Sequence, residues 1–312
     1  MNGVLLCEPN ISEGRDRRLM DRLADSVRAT DGVSLIHRSA DRDHNRMVLA
    51  FAGTAERLLE ALERLARLAV ASIDMRRHAG QHPRIGAVDV VAFVAVPGRS
   101  PAEALKACRR FGRWLGSWGG IPAFFYGIAA TRPEREALPN IRRGQFEGLA
   151  QKMSHPGWMP DEGPASPHLT AGATAVGVRA PLVRFNVNLD TADTAVARRI
   201  ALRLRESAGG LPAVRALGLE LRSRKMAQVS MNLLDYKVTS VPVVWNRTVE
   251  LAADEGTRPV ESEFIGPVPV RAYADLAGGG LHPDQMNLRM ETSQLLDLEK
   301  LGDRDQFLTE TA

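Results

Sequence analysis

Residues 54–73, TAERLLEALERLARLAVASI, carry the strongest periodic signal in the chain. Leu58, Leu62, Leu65, Leu68 and Ala69 recur at spacings of three and four, which places them on one face of an amphipathic helix. Thr54 is the candidate N-cap, because its hydroxyl is of the type that accepts an early helix N–H. Working outward, residues 88–96 read as a buried strand downstream. Upstream, residues 32–38 and 47–51 read as two strands joined by the polar turn 39–44, a hairpin pattern. Before them lie an apolar run at 3–8 and a helix over about 15–29, with Leu19, Met20, Leu23 and Val27 on one face. The order is βαββαβ.

The second half repeats it. Strands are expected at 182–189, 214–221, 226–233 and 260–265, with helices over 191–207 and near 239–253. Two such units predict an α/β (α+β) protein of two ferredoxin-like βαββαβ subdomains. Asn10 before Ser12 and Asn188 before Thr191 stand at related strand exits, and Ser12 and Thr191 are candidate caps for the helices that follow, which suggests internal duplication. Between the units lie a helix over 100–115, a strand over 121–126 and a polar, Gly- and Pro-rich stretch at 155–174, read as the connector. The expected boundaries are 1–178 and 179–277, followed by a tail over 278–312. In that tail Leu288, Leu295, Leu296, Leu298 and Leu301 suit a short docking helix.

Composition narrows the function classes. With 312 residues, 44% hydrophobic and 25% charged, the chain has the make-up of a globular protein. No apolar run approaches the roughly 18 residues of a membrane span, and the first residues lack a secretory pattern, so a cytoplasmic protein without a membrane partner is expected. Cys7 and Cys108 sit among apolar neighbours and imply neither a disulfide framework nor a zinc cluster. A formal charge of +4 with scattered arginines does not point to nucleic acid, and 5% aromatic content leaves too few rings for the stacking face of an RNA-binding βαββαβ module. A homodimer is expected on general grounds.

The chemistry concentrates at residues 76–89, RRHAGQHPRIGAVD. Pro83 biases His82 toward extended backbone, and Gly80 and Gly86 allow close approach, so His82 can be held rigidly as an acid/base group. The bland alternative is a surface histidine on a backbone carbonyl, made less attractive by neighbouring Arg84 and Asp89. His78 and His82, four apart, would face one metal on a helix, but Gly80 and Pro83 break a helix there and no metal is expected. Arg46, at a strand entrance after the cluster 41–45, is a candidate carboxylate partner. Gly119-Gly120 and Gly278-Gly279-Gly280 lack the context of a phosphate-binding loop.

Taken together, residues 7–14 (CEPNISEG), Asn45-Arg46, 73–78 (IDMRRH), 82–89 (HPRIGAVD), 138–142 (LPNIR) and 227–235 (AQVSMNLLD) resemble the glutamate formiminotransferase family over roughly residues 4–276. The resemblance implies two α/β subdomains with a folate-binding tunnel between them. It implies transfer of the formimino group from N-formimino-L-glutamate to tetrahydrofolate as co-substrate, in histidine degradation and one-carbon metabolism. His82 matches the family's catalytic histidine, and Gly163-Pro164-Ala165-Ser166-Pro167-His168-Leu169-Thr170-Ala171-Gly172 its folate-binding stretch. Asn10, Arg46, Arg84 and Asp89 are the expected substrate-binding residues. Ser39 and Ala171 depart from animal members, which carry Asp and an aromatic residue there. Another donor such as formylglutamate, or a purely folate-binding role, is the alternative. At this length the chain is expected to carry the formiminotransferase part alone.

Overall fold

The computed structural model describes residues 4–96, 100–298 and 300–302. The chain divides into two compact units, Met1–Arg179 with Glu299–Ala312, and Ala180–Leu298.

The first unit opens with β1 (Val4–Ile11), α1 (Arg17–Arg28), β2 (Val33–Asp41), β3 (Arg46–Thr54), α2 (Ala55–Ser72) and β4 (Val88–Val94). These are the expected elements in the expected order. They continue with α3 (Ala102–Gly119), β5 (Ala123–Gly127), the short helices α4 (Leu138–Arg142) and α5 (Leu149–Met153), and β6 (Thr174–Arg179). The sheet runs β2-β3-β1-β4-β6-β5. Its first four strands are antiparallel neighbours in ferredoxin-like order, while β6 lies parallel to both β4 and β5.

Strand alternation divides the side chains between the two faces. One face carries Cys7, Leu49, Phe51 and Phe93, packed under Leu23 and Val27 of α1, Leu58, Leu62 and Leu65 of α2, and Phe111 of α3. On the other face Val90, Phe124 and Tyr126 pack with Ile141 of α4 and Leu149 and Met153 of α5. That second layer brings residues 142–147 onto the end of β4, where the site lies. Both cysteines are free and buried, and burial pushes the Cys108 thiol up to about 12.

The second unit has β7 (Val183–Leu189), α6 (Thr194–Leu204), β8 (Val214–Leu221), β9 (Met226–Leu233), α7 (Val241–Asp254) and β10 (Pro259–Phe264), then β11 (Val268–Pro269), α8 (Val270–Gly278), β12 (Leu288–Arg289) and β13 (Leu295–Leu296). Its main sheet runs β12-β10-β7-β9-β8. The four longer strands repeat the ferredoxin-like order. Phe185, Val187, Ile200, Val229, Trp245 and Leu251 form its core.

Three local expectations are corrected. Ser12 and Thr191 do not cap helices: the caps are Asp16, accepting from the Leu19 N–H at 3.1 Å, and Asp193, accepting from Ala195 at 2.8 Å. Thr54 does stand at the N-cap of α2 in extended conformation, though without a side-chain cap bond. The stretch 155–174 is no connector, because the chain passes from β6 directly into the second unit at Ala180. Finally, the leucines of the tail do not share one docking helix, although Leu301 lies in a single 3₁₀ turn over Lys300–Gly302. Leu288 and Leu295–Leu296 lie in short strands parallel to β10 and β11, and the Gln294 amide donates to the carbonyls of Phe264 and Gly266, both at 3.0 Å. Residues 303–312 lie outside the described residues. Among the described residues, no helix is long and apolar enough to cross a membrane.

Candidate active site

The connection from α2 to β4 is an irregular loop over residues 73–87, held at many points. The Ser12 hydroxyl donates to the Gly86 carbonyl at 2.7 Å, and Ser12 N–H to Ala87 at 2.9 Å, so the end of β1 is tied to the loop. Ala87 N–H donates to the Ala171 carbonyl at 2.9 Å and Ala173 N–H to Ile85 at 3.1 Å. Gly86 is required here, since a Cβ would stand 2.1 Å from the Ala173 carbonyl oxygen. Gly80 is likewise required, its Cβ position lying 2.2 Å from the His44 carbonyl oxygen in the β2–β3 turn.

That turn supplies the second wall. Asn45 adopts positive φ (48°), and its side chain accepts from Gly14 N–H at 3.0 Å while donating to the Ala79 carbonyl at 3.1 Å. The next residue, Arg46, therefore leaves the turn pointing along the loop. Its Nη1 lies 2.7 Å from Nε2 of His82. Nδ1 of His82 lies 2.9 Å from the Pro83 carbonyl oxygen. A guanidinium only donates and a carbonyl only accepts, so these two bonds fix the tautomer: Nδ1–H donates to Pro83, and the Nε2 lone pair accepts from Arg46.

Burial pushes the basicity of His82 well below the usual 6.5, and the charges of Arg46, Arg142 and neighbouring His44 add to it against the Pro83 bond. The His44 ring stands 5.7 Å from that of His82. The imidazole is thus held neutral, as a base with its lone pair covered. Among the described residues, no carboxylate is hydrogen-bonded to it. Asp41, near departed position 39, instead accepts from the His44 N–H at 2.6 Å in the turn.

The remaining expected residues separate into two kinds. Asn10 is 6% exposed and shares a sheet face with Arg46 on the neighbouring strand, opposite Val48 and Val90. Arg84 and Asp89 are framework. Arg84 donates to Gln145 (3.0 Å), to both oxygens of Glu147 (2.8 and 2.6 Å), to the His78 carbonyl (2.9 Å) and to His78 Nδ1 (3.2 Å). These five bonds occupy its whole guanidinium, leaving no N–H for an outside carboxylate. His78 in turn donates from Nε2 to the Asn45 carbonyl at 2.9 Å. Asp89, fully buried, accepts from the Ile85 N–H at 2.7 Å and pairs with Arg142.

Arg142 is the residue that sequence reasoning passed over. It stands in the quoted LPNIR segment, but nothing in a single sequence says that α4 lays it beside a loop some sixty residues earlier. Its charge reaches His82, and its Nε is buried with no hydrogen-bond partner among the described residues.

The stretch 163–172 is not one surface. His168 and Gly172 pair with each other, His168 Nδ1 accepts from Ala171 N–H at 3.0 Å, and Thr170 and Gly172 contact the His82 loop through Met75 and Gly86. Residues 163–166 are exposed, and Gly163 packs on α3 at Gly116. Leu169 is exposed, whereas Ala171 is buried in the core and offers no open face.

Two family models match the chain in succession: the N-terminal subdomain of the formiminotransferase domain over residues 4–179, and the formiminotransferase domain over residues 184–302. A glutamate formimidoyltransferase of Streptococcus pyogenes serotype M1 is 39% identical over 302 residues, covering 97% of this chain and 100% of that one. One of Thermoplasma acidophilum is 37% identical, covering 87% of this chain and 90% of its own length. The formimidoyltransferase-cyclodeaminase of Rattus norvegicus is 38% identical over 89% of this chain, which spans 52% of that longer protein. Matched along both of its units and by full-length relatives, the chain belongs to the formiminotransferase family.

Proposed function

We propose that this protein transfers the formimino group of N-formimino-L-glutamate to N5 of tetrahydrofolate, releasing L-glutamate, with His82 as the acid/base group and Arg46 as its cover. The observation that carries the reading is the 2.7 Å contact from Arg46 to the Nε2 lone pair of a histidine kept neutral. A glutamate carboxylate is a stronger partner for a guanidinium than an imidazole is. Substrate binding would draw Arg46 away and bare Nε2 when there is a proton to take.

N5 then attacks the formimino carbon, forming the N5–C bond of a tetrahedral intermediate. Nε2 takes the proton from N5 and returns it to the glutamate nitrogen as the C–N bond breaks, so the ring ends neutral as it began. Pro83 keeps Nδ1–H in place throughout, and the positive charge of Arg142, held by Asp89, makes the imidazolium a ready proton donor. Arg84 and Asp89 serve by fixing the loop rather than by touching glutamate. The turn 168–172 is the part of the folate stretch placed to reach the loop.

Free, buried thiols suit a reducing compartment, so we assign the protein to the cytoplasm. Formiminoglutamate and tetrahydrofolate given to pure protein should yield glutamate and 5-formiminotetrahydrofolate, read as methenyltetrahydrofolate after acid treatment. Turnover with formylglutamate but not formiminoglutamate would replace the donor, and folate binding without turnover of either would reduce the protein to a binding role.

A further inference from the structure

Arg142 is the last residue of α4, and α4 is a single turn of five residues, too short to hold its shape alone. Beyond it the chain reverses through two left-handed residues, Gly144 (φ 88°) and Gln145 (φ 55°), before α5 begins at Leu149. Where the Arg142 charge stands relative to His82 therefore depends on what closes this helical hairpin.

Lys152 of α5 closes it. Its Nζ donates to the carbonyls of Asn140, of Ile141 at 2.8 Å and of Arg143 at 3.2 Å. The Arg142 carbonyl between them accepts from Gln145 N–H at 2.8 Å. Four successive carbonyls at the end of α4 are thus answered, three of them by one ammonium whose three N–H groups are all used. The same ammonium stands 3.8 Å from the centre of the Trp158 ring. From α4 the contacts continue to the histidine loop: Arg142 pairs with Asp89, and Asp89 accepts from the N–H of Ile85, three residues after His82.

Lys152 holds this place without a carboxylate bonded to it among the described residues. Burial, reinforced by the positive charges of Arg143 and Arg135, lowers it to about 8. It is therefore a cation close to losing its proton, kept where three carbonyls and an aromatic face favour its charge.

We propose that Lys152 is a positioning residue for the transfer reaction: by holding the end of α4 it fixes the Arg142 guanidinium beside Asp89 and the histidine loop, where that charge acts on proton transfer at His82. The inference rests on the reading of His82 as the acid/base group.

The test uses the full chain with Lys152→Met, which keeps an apolar stem but removes the charge, and Lys152→Arg, which keeps a cation that does not titrate. Two quantities are followed: the pH profile of kcat/KM, and the titration of the His82 ring by NMR, its signal assigned by its absence from His82→Ala. Lys152→Met frees Arg142 from its place, so the acid limb and the His82 titration should both rise by about half a pH unit or more. Its kcat should fall about tenfold with KM for formiminoglutamate little changed. Lys152→Arg should bring both quantities back near wild type. It should also flatten the alkaline side, since wild type loses rate as the pH passes about 8 and the ammonium becomes an amine with only two N–H groups. A His82 titration unmoved in Lys152→Met, with only the thermal transition lowered, makes Lys152 a structural cap and overturns the proposal. Should Lys152→Met not fold, identical alkaline limbs in wild type and Lys152→Arg overturn it instead. Wild type without transfer activity brings down the functional reading, while the NMR titration still reports whether Lys152 governs His82.

Discussion

The two units share a strand order but differ at two equivalent places. In the first, the connection between the second helix and the fourth strand runs over residues 73–87; in the second, α7 reaches β10 through residues 255–258. At the inner hairpins, both turns carry a positive-φ residue before the third strand, Asn45 (48°) and Lys225 (53°). The residue that follows is Arg46 in one and Met226 in the other. The first unit therefore owns a histidine loop and a cation to cover it, and the second has neither. The helix-distal face of its sheet carries the amides of Asn186, Asn188 and Gln228 gathered about one carboxylate, Glu263. The same scaffold thus carries a histidine loop where a connection is lengthened, and a network of side-chain hydrogen bonds on the sheet where it is kept short.

Removing what the long loop contributes should have the largest effect. His82→Ala is expected to lower kcat/KM by about 10²–10⁴ while the thermal transition stays near that of wild type. Activity retained within about threefold would mean that the loop is only structural. Next comes Asp89→Asn, which leaves the Arg142 charge buried without its carboxylate. Chemical denaturation should show a loss of about 3 kcal/mol, because breaking one side of a buried pair strands the other. A value under about 1 kcal/mol would show that Arg142 finds another partner.

Arg46→Met gives the first hairpin the residue of the second. Its expected cost is about tenfold in kcat/KM, mainly through KM for formiminoglutamate. The same variant should shift the acid limb of the kcat/KM profile upward, since removing a positive neighbour raises the basicity of His82 toward 6.5. In wild type that limb should lie below 6.5. Stability follows the same sign. Folded His82 and His78 resist protonation that the unfolded chain accepts, so their contribution is present above about pH 6.5 and declines as the pH falls below it. An acid limb at or above the ordinary histidine value would undo this account. The smallest effect is Glu147→Gln, at less than about 1 kcal/mol, because its carboxylate is 63% exposed and solvent screens its bond to Arg84.

What could be read from the sequence was set by local periodicity. The leucines of α2 and the two βαββαβ orders were legible because alternation and three-four spacing are one-dimensional signals. Strand β6 was not, since a small-residue run of six, buried on both faces, has no alternation to display. The tail leucines read as a helix for the opposite reason: their spacing fits one, but pairing with β10 and β11 decided their conformation. In the site, His82 and Arg46 stood out by residue type and turn context. The closed bonding of Arg84, the pairing of Asp89 with Arg142 and the Pro83 carbonyl as orienting group depend on segments that meet only after folding.

The place of β6 bears on how the chain acquires this shape. It fills the slot between β4 and β5, which both precede it in the sequence. During synthesis, residues 88–127 emerge with two strands that have no direct pairing to each other and must wait for residues 174–179 to bridge them. Until then each presents an unpaired edge rich in valine and phenylalanine, the kind of surface that recruits foreign strands. Release of a nascent chain before residue 179 should therefore send it to aggregates, and closure of the sheet by β6 should be a late, slow event because its partners are distant in sequence.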